Sequence, residues 1–406
     1  MSQKPASLRE DYLKLLQDST SLEQMGLVHD SSRIQPTQPL VGKDMKRALT
    51  QLRLESMLVA TMDKDKPLEL SSDTQQRLID AAGNQQVVLD EYEKELLVAI
   101  ERLELRFPVP YLVGDFPLAY PFNAVTVLRN AGALVLVNRG LTDMIWFAAK
   151  LFSAGVSVQV TDGTDEGDNV DPMPFTKEQI AEWLAQVVLS YLRNKDAQAA
   201  GHLLPQFGRV RSMVVACLTN ECTKFVIAHE FAHIIKGHLA ENFRVDSGDD
   251  DVIFRVLEQV LKSFEQTSGV VRYTSRKTQE IAGKWRQEID ADLLGLRILF
   301  AGQASRGSNK RFIIDGNHPL FEFTAAAPFF LFALYHLITE VKKASTGHRQ
   351  AIFLTEHPPA ELRHEFVKMT YGSWGQPELP HIANEVMKWF SGVQQSVVER
   401  TLKQTT

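Results

Sequence analysis

The stretch FVIAHEFAHIIKGH, residues 225–238, constrains the fold more tightly than any other part of this sequence. Phe225, Val226, Ile227, Ile234 and Ile235 are the filling of a buried helix, yet three histidines and a glutamate stand among them. Residues four apart on an α-helix share a face, so His229 and His233 can direct their imidazoles at one point. Neutral imidazole nitrogens suit zinc, and Glu230 stands where it can reach a metal-bound water. His238 follows Gly237, a helix-ending residue, and is expected off the ligand face. Two histidines do not complete a tetrahedral site, so the fold must bring a third ligand to this helix from elsewhere.

The segment WRQEIDADLLGLRILFAG, residues 285–302, supplies a candidate. It reads as a second amphipathic helix on which Glu288 and Asp292, four apart, share one face. Glu288 would complete a His₂Glu site with an open fourth position, the pattern of catalytic zinc. Asp292 would accept the ring N–H of a ligand histidine and fix its tautomer. The plainer alternative is that both acids are solvated or paired with Arg286 and Arg297.

The rest of the chain narrows the class. Its 406 residues, 44% hydrophobic and 23% charged, have globular composition and room for one large domain or a few smaller ones. A net charge of −6 argues against a nucleic-acid partner, which needs a basic face. The N-terminus lacks the apolar stretch of a signal peptide. The longest apolar run, AAAPFFLFALYHLI at 325–338, is interrupted by Pro328 and His336 and falls short of the ~20 residues that span a bilayer. It is expected as a core helix, with no transmembrane segment in the chain. Cys217 and Cys222 fit neither a CxxC motif nor a disulfide framework and read as small core residues, which suits a reducing cytoplasm.

Residues 1–105 read as a helical region, with apolar residues at three- and four-residue intervals in LREDYLKLLQ and EYEKELLVAIERLEL. A polar stretch at 30–45 with Pro36 and Pro39 lies between them. PVPYLVGDFPLAYPF, residues 108–122, is too rich in proline for a long helix. AVTVL and ALVLV around RNAG predict a hairpin, and LTDMIWFAAKLF then returns to helical spacing with Thr142 or Asp143 as its N-cap. In TDGTDEGDNVD, residues 161–171, carboxylates recur every three positions, the wrong spacing for an EF-hand. This loop and DSGDDD at 246–251 are expected to be solvated. TKEQIAEWLAQVVLSYLRN, residues 176–194, predicts an amphipathic helix.

H-E-x-x-H followed by E-x-x-x-D resembles the gluzincin metallopeptidases. With FNAV and GALVLVNRGL before the first motif and HPPAELR at 357–363 after the second, the pattern is similar to the HtpX and CAAX-prenyl-protease type, four blocks in the same order. That resemblance implies an α+β fold: a mainly helical zincin-like domain over 106–400 with a small antiparallel sheet and an insertion at about 150–210, preceded by the helical region 1–105. It implies a zinc endopeptidase holding one Zn²⁺ on His229, His233 and Glu288, with Glu230 as general base. It casts Ala133, Leu134, Val135, Leu136 and Val137 as an edge strand that pairs with an extended substrate. It casts His357 and Arg363 as groups that approach the zinc and stabilise the developing oxyanion. His318-Pro319 is a second His-Pro pair, without an arginine at the matching spacing.

Two departures qualify the resemblance. Enzymes of that type carry transmembrane helices, and their strand and zinc helix are close in sequence, whereas Val137 and His229 are 92 positions apart. The long interval is more similar to the Lit-type phage-exclusion peptidases, cytosolic enzymes that cut a translation elongation factor when triggered by a phage peptide. This implies a protein or peptide substrate, a restricted substrate or a trigger, and an activating or regulatory partner acting through the N-terminal region or the insertion. A catalytically silent peptide-binding module is one alternative, which intact Glu230 argues against. A metal-dependent hydrolase or switch acting on something other than protein is another.

Overall fold

The computed structural model describes residues 6–17, 85–116, 122–156, 158–160, 169–171, 175–194, 209–239, 257, 259, 275–303, 319–346, 357–374 and 381–405. In chain order these form α1 (Ala6–Gln17), α2 (Gln85–Arg102), β1 (Tyr111–Phe116), β2 (Ala124–Arg129), β3 (Gly132–Asn138), α3 (Arg139–Ala154), β4 (Val158–Val160) and β5 (Asn169–Asp171). They continue with α4 (Lys177–Asn194), α5 (Arg209–Ile235), α6 (Ser275–Gln303), α7 (Pro319–Thr346), α8 (Ala360–Ser373) and α9 (His381–Thr405). The fold is α+β and mainly helical, as expected.

β2 and β3 form the expected hairpin, antiparallel from Ala124↔Val137 to Arg129↔Gly132. β1 lies on the other side of β3 and pairs with it in parallel, from Tyr111↔Ala133 to Phe116↔Asn138. The sheet is therefore mixed, which corrects the antiparallel expectation. The reason is its order, β1-β3-β2: β1 skips its successor and joins the strand that runs in its own direction. β1 occupies only the six residues between Pro110 and Pro117, too short a run to stand out in a proline-punctuated segment.

Period-two alternation divides the sheet into two faces. Ala133, Val135 and Val137 face the main core, while Leu134 and Leu136 join Leu112, Phe116 and Leu8 in a separate cluster. α1 covers this second face, where the Tyr12 hydroxyl donates to the Asp115 carbonyl. The main-core face meets α5, so the sheet is held directly against the helix that carries HEFAH.

α3 starts at Arg139, with Asn138 as its N-cap, ahead of the expected Thr142. Thr142 instead donates its hydroxyl to the Arg139 carbonyl at 2.9 Å. α4 opens on a reciprocal capping box: the Gln179 N–H reaches the Thr176 hydroxyl oxygen at 3.3 Å and the Thr176 N–H reaches the Gln179 side chain at 3.0 Å. Its stripe of Ile180, Leu184, Val188 and Tyr191 enters the main core. β5 pairs with β4 and takes up the end of the acidic stretch, while 161–168 and 246–251 lie outside the described residues. α2 contributes Leu89, Leu96, Ala99 and Ile100 to the same core. Residues 18–84, most of the expected N-terminal region, lie outside the described residues.

α7 runs for 28 residues, twice the apolar run seen in the sequence, and Pro328 does not end it. A proline disturbs the carbonyls of the preceding turn. One of these, Ala325, accepts the Tyr371 hydroxyl of α8 at 3.1 Å. Among the described residues, Glu322–Ser345 is the one helical segment long and apolar enough to cross a membrane, and 72% of its most apolar window is buried inside the protein. Near its start, Glu322 accepts the Ile382 N–H at 3.0 Å and so caps α9. Cys217 and Cys222 lie on α5 and form no disulfide.

Candidate metal centre

Glu288, Asp292 and Gly295 fall at i, i+4 and i+7 on α6 and make one stripe, turned toward α5. Gly295 sets the closeness of the two helices. A Cβ there would stand 3.0 Å from the His229 backbone nitrogen and 3.1 Å from its Cα, so any larger residue would push α6 away from the HEFAH turn. This close crossing lets Glu288 reach both histidines and Asp292 reach His229.

His229 Nε2 and His233 Nε2 are 3.1 Å apart. Glu288 Oε2 is 3.6 Å from the first and Glu288 Oε1 is 3.4 Å from the second. The three residues form the one group of metal-ligating side chains found among the described residues, with ligand atoms all within 4.8 Å of one another. Tetrahedral zinc with bonds of about 2.0–2.1 Å holds its ligand atoms about 3.3–3.4 Å apart, and the observed spacings bracket that value. The outer ring nitrogens agree. His229 Nδ1 lies 2.9 Å from Asp292 Oδ1, which would accept the Nδ1 proton when a metal takes the Nε2 lone pair. The donor set fits zinc.

His233 has a corresponding support, at 3.0 Å between its Nδ1 and Nδ1 of His238. The cause is the end of α5. Gly237 takes a left-handed conformation, φ +71°, its N–H bonds the Ile234 carbonyl at 3.1 Å, and the His238 N–H bonds the His233 carbonyl at 3.0 Å. This is a Schellman motif, and it folds the chain back so that His238 lies against His233. The expectation that His238 lies away from the site is thus corrected. The helix-ending glycine is itself the residue that brings His238 in. Burial, with His233 alongside, pushes the His238 pKa down to about 3, so its ring is neutral.

The acids are held as anions. Burial disfavours charge on Glu288, but hydrogen bonds from His229, His233 and His357 keep its carboxyl well below the usual range. Burial likewise opposes charge on Asp292, and Arg363 outweighs it. Burial opposes charge on His229 as well; Asp292 and Glu288 reverse that and raise its pKa to about 10 in the metal-free site. Arg286 pairs with Asp290 rather than with Glu288, which removes the plainer reading of Glu288.

Arg363 donates from Nε and Nη2 to the two Asp292 oxygens, at 2.7 and 2.6 Å, with its guanidinium 4.7 Å above the Phe332 ring. That bidentate fork ties it to Asp292, one helical turn beyond Glu288. Its effect on the centre runs through Asp292 to His229. His357, on the turn before α8, has Nδ1 3.0 Å from Glu288 Oε2 and a side chain 67% exposed, at the open side of the site.

The strand expected at the sheet edge lies at its centre, which corrects that expectation. Ala133–Val137 lie in β3, the central strand, whose ladders are filled on both sides and whose residues are all buried. A strand in that position has no edge to offer. Among the described residues β2 is an outer strand of this sheet, beside α5, and its Thr126 hydroxyl donates to Glu230 Oε2 at 2.6 Å. Glu230, 7% exposed, is thereby tied to β2.

No curated protein and no solved structure matches the chain. Residues 176–370, from α4 into α8 and including every residue of the His₂Glu centre with Asp292 and Arg363, match the model of peptidase family M48, which indicates a metallopeptidase of the zincin type.

Proposed function

We propose that this chain is a zinc-dependent endopeptidase that hydrolyses protein or peptide substrates with Glu230 as general base. The observation that carries the reading is the convergence of His229, His233 and Glu288 at tetrahedral-zinc spacing, with Glu230 one residue from a ligand. Bound there, zinc supplies a Lewis acid for the scissile carbonyl and for a water molecule. Glu230 accepts the proton of the attacking water and delivers it to the amine nitrogen as the C–N bond breaks. His357, exposed and 3.0 Å from Glu288 Oε2, would donate to the developing oxyanion. The substrate enters as an extended strand against β2, the outer strand beside α5 among the described residues, with main-chain hydrogen bonds giving affinity.

Restriction to one substrate or release by a partner, as in the phage-exclusion peptidases, belongs to the same proposal and rests on the long interval between the hairpin and α5. A cytoplasmic location rests on the sparse cysteine usage, with Cys217 and Cys222 outside any disulfide, and on the burial of α7. The test is zinc content and a survey of cleavage products from a proteome-derived peptide library, with and without chelator. One zinc per chain and chelator-sensitive cuts are expected, in the library or in a lysate able to supply the partner and the substrate; intact substrates in both would overturn the peptidase reading.

His238 offers a narrower check. An outer partner of a ligand histidine typically changes metal affinity about 10–100-fold. His238→Phe is expected to weaken zinc binding by that order in a competition titration against a chromogenic chelator, with the fold intact by circular dichroism. Unchanged affinity would mean that His233 is oriented by packing alone.

A further inference from the structure

We infer that Thr126 is a positioning residue for the general base, holding one oxygen of Glu230 so that the other faces the reacting water. The inference rests on the peptidase reading above and adds to it a residue of β2, outside the 176–370 stretch that matches the family.

The register of the hairpin places Thr126. It stands opposite Val135, and Val135 with Ala133 and Val137 faces the main core, while Val125 and Val127 pack with the cluster beneath α1. Period two therefore sends Thr126 to the α5 face, and a slip of one residue would put a valine there instead. At that position its hydroxyl donates to Glu230 Oε2 at 2.6 Å, a short bond of the charge-assisted kind.

The physical consequence follows from the freedom of a glutamate side chain. Its terminal torsion is broad, so the carboxylate of an otherwise unheld Glu230 would turn among several orientations. A general base must lie within hydrogen-bond reach of the proton it takes, and a misplacement of about 1 Å can cost about a hundredfold in rate. With Oε2 fixed by Thr126, Oε1 is the oxygen free to accept from water. Because Thr126 belongs to the edge strand, the base is fastened to the same strand against which the substrate lies. Its orientation and that of the scissile bond thus share one frame.

Thr126→Val keeps the β-branched shape and removes the donor; Thr126→Ser keeps the donor. For the zinc-loaded enzyme and a library peptide that it cuts, Thr126→Val is expected to lower kcat about ten- to a hundredfold with KM within about twofold and zinc content unchanged. Thr126→Ser is expected to restore most of the rate. Crystal structures of the three proteins give a readout independent of turnover: the Glu230 carboxylate is expected in one orientation in wild type and Thr126→Ser, and turned or split in Thr126→Val. A rise in KM at constant kcat would assign Thr126 to peptide binding and overturn the inference. So would an unmoved Glu230 in Thr126→Val. If the wild-type protein cuts nothing in library or lysate, the peptidase reading falls while the carboxylate orientation still decides the positioning role.

Discussion

Glu230→Gln is expected to bind zinc at wild-type stoichiometry and to lose peptide hydrolysis by about 10²–10⁴-fold, the usual contribution of a general base. The substitution changes an oxygen acceptor to an amide of the same shape and touches none of the ligands. Gln retains an oxygen able to accept from Thr126, so the edge strand stays where it is. What disappears is a group able to take a proton from water. Zinc content, thermal unfolding and cleavage rate measured on one preparation separate this result from a folding defect. Full activity in the variant would show that another group takes the proton, and the role assigned to Glu230 would be wrong.

Arg363→Met is expected to destabilise the protein by about 3–5 kcal/mol, because it leaves the Asp292 carboxylate buried without its bidentate partner. Asp292 is 1% exposed and cannot turn to solvent for compensation. The methionine still packs on Phe332, so the loss reports the ion pair more than the lost volume. Asp292→Leu combined with Arg363→Met removes both charges and is expected to recover most of the stability, as buried pairs replaced by apolar groups commonly do. The double variant is nevertheless expected to bind zinc about 10–100-fold more weakly, since the His229 Nδ1 proton has lost its acceptor. Denaturant unfolding of the metal-free proteins and a zinc titration distinguish these two effects. If Arg363→Met unfolds at the wild-type midpoint, the fork does not stabilise this part of the fold.

Much of the centre is legible in the sequence. His229, His233 and Glu230 are fixed relative to one another by the 3.6-residue period, and Glu288 and Asp292 are likewise paired on their own helix. Support of a ligand histidine by Asp292 also follows from spacing and agrees with the 2.9 Å contact to His229. Three positions escape a local reading, each for its own reason. Ala133–Val137 look like any β-prone run, and nothing within a strand reveals whether both of its edges are filled. Arg363 lies in the right block, but the partner its fork selects depends on how α8 packs on α6. His238 follows a glycine that ends its helix, yet a Gly at that position makes a turn that returns the next residue to the helix end.

The sequence by itself determined the helices, the hairpin and the residues that share a helical face, because these are set by bonds and contacts within a few positions. Only the tertiary structure decided that β1 rather than a substrate occupies one side of β3, that Gly295 lets α6 close on α5, and that Thr126 meets Glu230 104 positions away. Those outcomes depend on side chains brought together across the chain by burial of a common core. Burial acts on area and shape without regard to sequence distance, so no local pattern records them.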